Sequence, residues 1–290
     1  MVDFTRDPNK SLPPSHAGKA AQIRGRIRKS ARVLYLDEAG AGTLCGDLVI
    51  AGVVVPRNFK IPGLKDSKEM TEKERNAFFP KIMALVEDYV TVKLRPATVD
   101  KMNVRQARAE GFRRAAMKLD PPPDYVVIDG DLMPVLPFPQ DCLVRGDGQL
   151  PGLMVAGIVA KVIRDQQMRS AERRWPHYGF GSHKGYGTPA HMRVLRRFGS
   201  IPGFHRMSCE PVRKARICNV SALPPFDPSD HAPVSRRPSV RKVPGSRVSA
   251  KKPVKAVAVA RKAPKKATRK VAKKSVSRPS GKPGKPGQVT

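Results

Sequence analysis

The stretch LYLDEAGAGTLCG, Leu34–Gly46, constrains the fold most. The apolar run before it and the run LVIAGVVV after it both read as core-forming strands. Between them the chain sets two adjacent acids, Asp37 and Glu38, and then the small loop Gly40-Ala41-Gly42. Carboxylates are almost never fully buried unless something pairs them. The acids therefore have to emerge at the edge of a sheet, and a bound divalent cation is the partner that would hold them there.

The rest of the central region alternates strand and helix. Arg32–Glu38, Leu48–Pro56, Thr91–Pro96 and Tyr125–Asp129 are rich in Val, Ile and Leu and read as strands. Thr71–Tyr89 reads as a helix, opened by a capping box of Thr71 and Glu74 and kinked or split at Pro80. Val99–Leu119 predicts a second helix, with Val104, Ala107, Phe112, Ala115 and Ala116 on one side. Leu153–Glu172 and Thr188–Phe198 predict two more. The expected fold class is α/β or α+β, a central sheet with helices packed on it. Asp129 ends the YVVID strand before a glycine, as Asp37 ends its own run, and Asp147 follows in VRGDG. Neighbouring parallel strands present their ends at one sheet edge, where ligands bind, so Asp37 and Asp129 are expected side by side. Successive strand residues face opposite ways. Glu38 joins that site only if the strand ends at Asp37 and the chain bends at Gly40 and Gly42.

Charge supplies the substrate class. The chain of 290 residues carries 56 Lys and Arg against 24 Asp and Glu, net +32, which predicts a polyanionic partner. No apolar run reaches the roughly 18 residues needed to span a bilayer, and the N-terminus lacks the apolar core of a signal peptide. The four cysteines, without C-x-x-C pairing, suit free thiols in a reducing compartment. The expectation is a cytoplasmic monomer with no membrane partner. Residues 231–290 hold 19 basic residues and no acid or aromatic side chain, leaving 37 basic against 24 acidic residues before them. Such a tail cannot offset its conformational entropy by burial and is expected to be disordered. Three regions result: a disordered basic arm over 1–30, a compact domain over 31–220 and a disordered tail over 221–290.

Acids without accompanying His or Cys form the hard-oxygen environment of Mg²⁺ or Mn²⁺. Two such ions, about 4 Å apart, serve in-line attack of water on a phosphodiester. Together with the basic surplus, this points to a metal-dependent nuclease. Each acid alone also has a plain reading, as a turn former or helix cap.

The blocks YLDEAG-x-G-x-L-x-G, LKDSKEMTEKER, DKMNVRQA, YVVIDG, VRGDG, AKVIRDQQM, HYGFGSHKGYGT and HRMSCEPVRK, in this order, resemble the ribonuclease HII family over about residues 32–214. The resemblance implies a ribonuclease H-like fold, a central mixed sheet flanked by helices with a helical C-terminal extension. It implies endonucleolytic cleavage of the RNA strand of RNA–DNA hybrids, and of duplex DNA containing ribonucleotides, leaving 3′-hydroxyl and 5′-phosphate ends. It assigns Asp37, Glu38, Asp129 and Asp147 to a two-metal site, with Asp37 bridging the ions. Gly40, Ala41 and Gly42 fall on the loop that grips the ribose, Lys68 and Lys184 on lysines near substrate, and Tyr186 on the tyrosine that stacks on the adjacent sugar.

The sequence departs from that pattern in four places. Ala41 stands where the family has arginine, which puts selectivity at the 2′-hydroxyl in question more than cleavage. Thr43, Asp47 and Gly187 replace positions usually occupied by proline or a small residue, and a looser loop beside the metals is expected. Asp165 is expected to pair with Lys161 or Arg169 at helical spacing. His177 and His183 are not expected to ligate metal, and Trp175 and Phe180 are expected to pack the C-terminal helices. The tail resembles those of bacterial histone H1-like proteins. This suggests association with the nucleoid and keeps open a second reading, a DNA-compaction protein on a disused ribonuclease domain.

Overall fold

The computed structural model describes residues 16–64 and 69–227. Its elements run α1 (His16–Arg26), β1 (Val33–Ala39), β2 (Leu48–Val54), α2 (Glu72–Met83), β3 (Asp88–Leu94), α3 (Pro96–Met102), α4 (Val104–Lys118), β4 (Tyr125–Asp129), β5 (Gln140–Leu143), α5 (Pro151–Arg174), α6 (Phe180–His183), α7 (Pro189–Phe198) and α8 (Glu210–Lys214). The strands form one mixed sheet in the order β3-β2-β1-β4-β5. β1–β2 and β2–β3 are antiparallel, whereas β1–β4 and β4–β5 are parallel.

Alternation along the strands loads both faces. Leu34, Leu36, Ile50, Val126 and Ile128 pack with Phe112 and Ala115 of α4 on one face. Ala51 and Val53 pack with Ile82 of α2 and with Val155 and Val159 of α5 on the other. Gly111 lets α4 approach closely, since a Cβ there would lie 2.6 Å from Ile50. The extension forms a third cluster around Met168, Trp175, Tyr178, Phe180 and Phe198, so Trp175 and Phe180 pack as expected. No described helix is long and apolar enough to cross a membrane.

The capping box is present: Glu74 N–H donates to Thr71 Oγ1 at 3.2 Å and Thr71 N–H to Glu74 Oε2 at 2.7 Å. The helix it opens ends at Met83, not Tyr89. Asp88–Leu94 is captured instead by seven-residue pairing with β2, a tertiary contact that local periodicity does not reveal. Pro80 sits within α2 without splitting it; it removes only the donation to Asn76. The expected helix over Val99–Leu119 does split, at Asn103 (φ 64), whose side chain caps α4 by accepting from Gln106 N–H at 3.0 Å. Val104 then sits at the first position of α4 and is 40 % exposed, not buried.

The region boundaries also shift. The N-terminal arm is not disordered throughout, because α1 places Ala20 and Ile23 in a cluster with Val33, Val127, Leu143 and Leu153. Its apolar residues recur three and four apart, enough for one buried stripe. At the other end, residues 221–227 still pack: Pro224 O accepts from His177 Nε2 at 2.7 Å, and the Phe226 ring lies 5.6 Å from the His177 ring. Lys68 and the tail from residue 228 lie outside the described residues.

Candidate active site

Four acids line one cleft of about 540 Å³ at the carboxyl ends of β1 and β4: Asp37, Glu38, Asp129 and Asp147. The parallel pairing Leu36↔Ile128 sets Asp37 and Asp129 side by side where the β1–β4 ladder ends. Asp147 arrives on a single 3₁₀ turn, Gly146–Gly148, just after β5. Gly146 N–H donates to Asp129 Oδ1 at 2.7 Å, which ties that turn to the end of β4. Asp37 and Asp147 are both buried.

Glu38 reaches the cleft by another route than expected. β1 does not end at Asp37: its pairing with β2 continues through Glu38↔Ile50 and Ala39↔Val49. Glu38 therefore leaves on the α4 side, where the Arg108 guanidinium meets its carboxylate, Nε 2.9 Å from Oε1. The bend comes after Ala39, at Gly40 (φ 92).

The electrostatics of the cleft is set by crowding. Burial, then the carboxylates of Glu38, Asp129 and Asp147, push the Asp37 carboxyl well above the usual range, against the pull of the Glu38 amide, which donates to Asp37 Oδ1 at 2.6 Å. Burial and like charge both disfavour the ionised form. The donors here are all oxygen, with no imidazole or thiol among the lining residues, which suits Mg²⁺ or Mn²⁺ over softer metals.

The substrate-facing candidates divide. Gly40, Ala41, Gly42 and Tyr186 line the cleft with the acids, and Tyr186 is 45 % exposed. Lys184 is not among the lining residues; its Nζ pairs with Glu72 Oε1 at 3.0 Å. Two basic residues not expected at the cleft, Arg75 and Lys161, also line it. Both hold Asp165, Lys161 at 2.7 Å and Arg75 at 3.5 Å. Asp165 is thus an ion-pair partner, as expected, while Arg169 pairs with Glu72 instead.

Two of the substituted residues of the first loop are hydrogen-bonded in place. The buried Thr43 hydroxyl lies 3.0 Å from Gly40 O, and Asp47 accepts from Gln167 Nε2 at 2.6 Å. The Tyr186 loop is likewise held, with its amide donating to His183 O and its carbonyl taking Thr188 N–H at 2.8 Å. Sequence spacing had not suggested the buried group Cys45, His191 and His205, whose ligand atoms lie within 4.8 Å of one another. Its hydrogen bonds close without an ion. Ile201 N–H donates to His205 Nδ1, which leaves Nε2–H of His205 for His191 Nε2 at 3.2 Å and Nδ1–H of His191 for Tyr186 O at 3.0 Å. His183 Nε2 is engaged by Tyr178 O at 2.7 Å.

A mixed five-stranded sheet with acids crowded at the ends of its two central strands, and helices on both faces, defines a nuclease of the ribonuclease H class. Ribonuclease H2 from Pyrococcus horikoshii shares the fold, with a TM-score of 0.54 at 25 % identity, over 63 % of this chain and 96 % of that one. The ribonuclease HII family model matches residues 35–211, and the chain belongs to that family. Among its relatives, ribonuclease HII of Vibrio cholerae is 40 % identical over 185 residues, 64 % of this chain and 89 % of the relative. That of Geobacillus kaustophilus is 39 % identical over 183 residues, 63 % and 70 % respectively. The chain is accordingly a ribonuclease H hydrolase, a metal-dependent endonuclease acting on the RNA of RNA–DNA hybrids.

Proposed function

We propose that Asp37, Glu38, Asp129 and Asp147 together hold two Mg²⁺ or Mn²⁺ ions and that the cleft cuts on the 5′ side of a phosphate, leaving 3′-hydroxyl and 5′-phosphate ends. The observation that carries this is the Asp37 carboxyl, buried and pressed by three other acids, a group whose ionisation calls for cations. When bound, divalent ions activate water and neutralise charge building on the phosphate. The residues of the chain present and orient: Arg108 fixes Glu38, the Gly146 amide fixes Asp129, and Lys161 and Arg75 bring positive charge to the cleft rim. Asp37→Asn or Asp129→Asn should remove cleavage of a hybrid duplex and leave duplex binding nearly intact, because binding rests on the basic surface. More than about a tenth of wild-type turnover in Asp37→Asn would refute the assignment, since such a ligand is worth several kcal/mol at the transition state.

The second part of the proposal is the substrate range. Ribose contact falls to the Gly40-Ala41-Gly42 backbone and to Tyr186, which line the cleft with the acids. Without an arginine at position 41, duplex DNA containing a single ribonucleotide is a substrate but a poorly discriminated one. The tail beyond residue 227 acts as a sequence-blind phosphate tether, on the strength of the 19 basic residues in 231–290.

A further inference from the structure

Two of the bulkiest fully buried side chains in the molecule are arginines, Arg164 at 2 % exposure and Arg206 at 1 %. Among the described residues neither guanidinium forms an ion pair. A buried charge without a counter-charge is expensive unless dense hydrogen bonding replaces it. Arg206 finds that replacement in full, and Arg164 through its Nη2 alone, in the loop that borders the acid cleft; among the described residues Arg164 Nη1 is buried without a hydrogen-bond partner. Arg206 donates from Nη1 to Ala41 O (3.1 Å) and Thr43 O (3.2 Å), and from Nη2 and Nε to Gly46 O (2.9 and 3.2 Å). Its own amide donates to Leu44 O at 2.8 Å. Arg164 donates from Nη2 to Thr43 Oγ1 (2.8 Å) and Cys45 O (3.0 Å), and at 3.3 Å to Lys184 O on the Tyr186 loop.

The carbonyls of residues 41 and 43–46 are thus all captured by these two residues. A Cβ on Gly40 would stand 1.9 Å from Arg164 Nε, so the guanidinium lies flush against the loop backbone and only glycine fits there. Among the described residues, neither the Ala41 nor the Gly42 amide donates a hydrogen bond to any acceptor. Burial lowers the proton affinity of both arginines, with Arg164 the next contributor for Arg206, which falls to about 10.

We infer that Arg164 and Arg206 are positioning residues for the reaction: by drawing the loop carbonyls inward they fix the Ala41 and Gly42 amides at the acid cleft, and Arg164 locks the Tyr186 loop to the same frame. This rests on the functional reading above. It also accounts for a held loop where the family's arginine is missing, because the backbone is secured from beneath and not by the side chain at 41.

The test uses the full chain with Arg206→Lys, which keeps the charge and loses the fork, and Thr43→Val, which removes the hydroxyl that receives Arg164. Hydrogen exchange reports the loop directly through the Leu44 and Gly46 amides, which donate to Gly185 O and Phe204 O. Exchange at these two amides should quicken by about tenfold or more, the worth of one charge-assisted hydrogen bond, while β1 and β4 stay protected. The kcat/KM on a duplex with one ribonucleotide should fall on the order of 100-fold, carried mostly by kcat, as for a displaced reacting group. Mn²⁺ binding, read by titration calorimetry, should be unchanged. Quickened exchange in every element alike would show a purely structural role and overturn the inference, as would unaltered loop exchange and turnover in folded variants. If Arg206→Lys does not fold, Arg164→Lys decides by the same readouts, since Thr43→Val also loses the hydroxyl's own bonds to Gly40 O and Cys45 O. If the wild-type chain fails to cleave, the functional reading falls, and the exchange pattern still decides whether the arginines hold the loop.

Discussion

Two clusters of like charge meet at the Gly40–Gly46 loop, and the fold treats them in opposite ways. The acids of the cleft crowd one another, and Asp37 is driven toward its neutral form. Beyond the loop lie Arg164, Arg206, His191 and His205, whose proton affinities are all lowered, chiefly by burial. All of the basic cluster except Arg164 Nη1 is satisfied within the chain, by carbonyls and by a closed run of imidazole hydrogen bonds. In the acidic cluster Arg108 and the Gly146 amide engage Glu38 and Asp129, while the repulsion stays concentrated on Asp37. A binding site is distinguishable from a structural one by which cluster still needs something from outside.

The largest effect should come from breaking the acidic side. Asp37→Asn should abolish turnover and, in metal-free protein, raise the melting temperature at neutral pH, since it removes a crowded buried carboxylate. A lower melting temperature in the metal-free variant would mean that the acid supports the fold.

Acid titration should separate the clusters next, because their signs differ. His191 and His205 sit at about 3 and about 4 in the fold, below the ordinary 6.5. Their contribution is present above pH 6.5 and is lost as pH falls through that window, by about 2 kcal/mol for each imidazole at pH 5. Asp37 runs the other way. Its folded value is raised, so its contribution is full below about pH 4 and is lost as pH rises through the folded value. Chemical denaturation of metal-free protein between pH 4 and 7 should therefore show stability rising more steeply with pH in Asp37→Asn than in wild type. Parallel curves would contradict this.

A smaller change is expected from restoring charge on the cleft side of the loop. Ala41→Arg should raise cleavage of a single-ribonucleotide duplex more than that of a continuous hybrid, by about tenfold, the value of one charge-assisted contact. Equal gains on both substrates would leave the sensing to the Gly40 and Gly42 backbone alone. The smallest effect on chemistry should follow deletion of residues 231–290. It should flatten the salt dependence of duplex binding, whose slope is about −0.9 per phosphate contact, with kcat nearly constant. Identical slopes with and without the tail would remove it as a phosphate binder.

The acids were legible in the sequence because an apolar run ending in a carboxylate and a glycine is rare and local. That local pattern placed Asp37 beside Asp129 correctly. It misjudged Glu38, whose strand continues two residues further because β2 offers partners for it. Arg164 and Arg206 were invisible for the opposite reason. In a chain with 56 basic residues an arginine carries no signal, and what marks these two is burial against carbonyls more than 100 residues away. β5 escaped notice because four residues, QDCL, show no period, and the break at Asn103 because a single positive-φ residue inside an otherwise helical run has no strong signature.

Helix α1 lies ahead of the family match, yet it bears on the order in which the acids would lose their footing. Arg26 pairs with Asp141 at 3.1 Å, Asp141 accepts from Tyr125 Oη at 2.6 Å, and Ala20 and Ile23 pack on Val127 and Leu143. β5 is the outermost strand on that side, and the turn bearing Asp147 begins three residues beyond it. A chain beginning at residue 31 would keep Asp37 and Glu38 paired to β2, while the strand that leads to Asp147 lost its outer brace. The N-terminal helix thus braces the edge strand that leads to Asp147, and removal of residues 1–30 should loosen that acid before the other three.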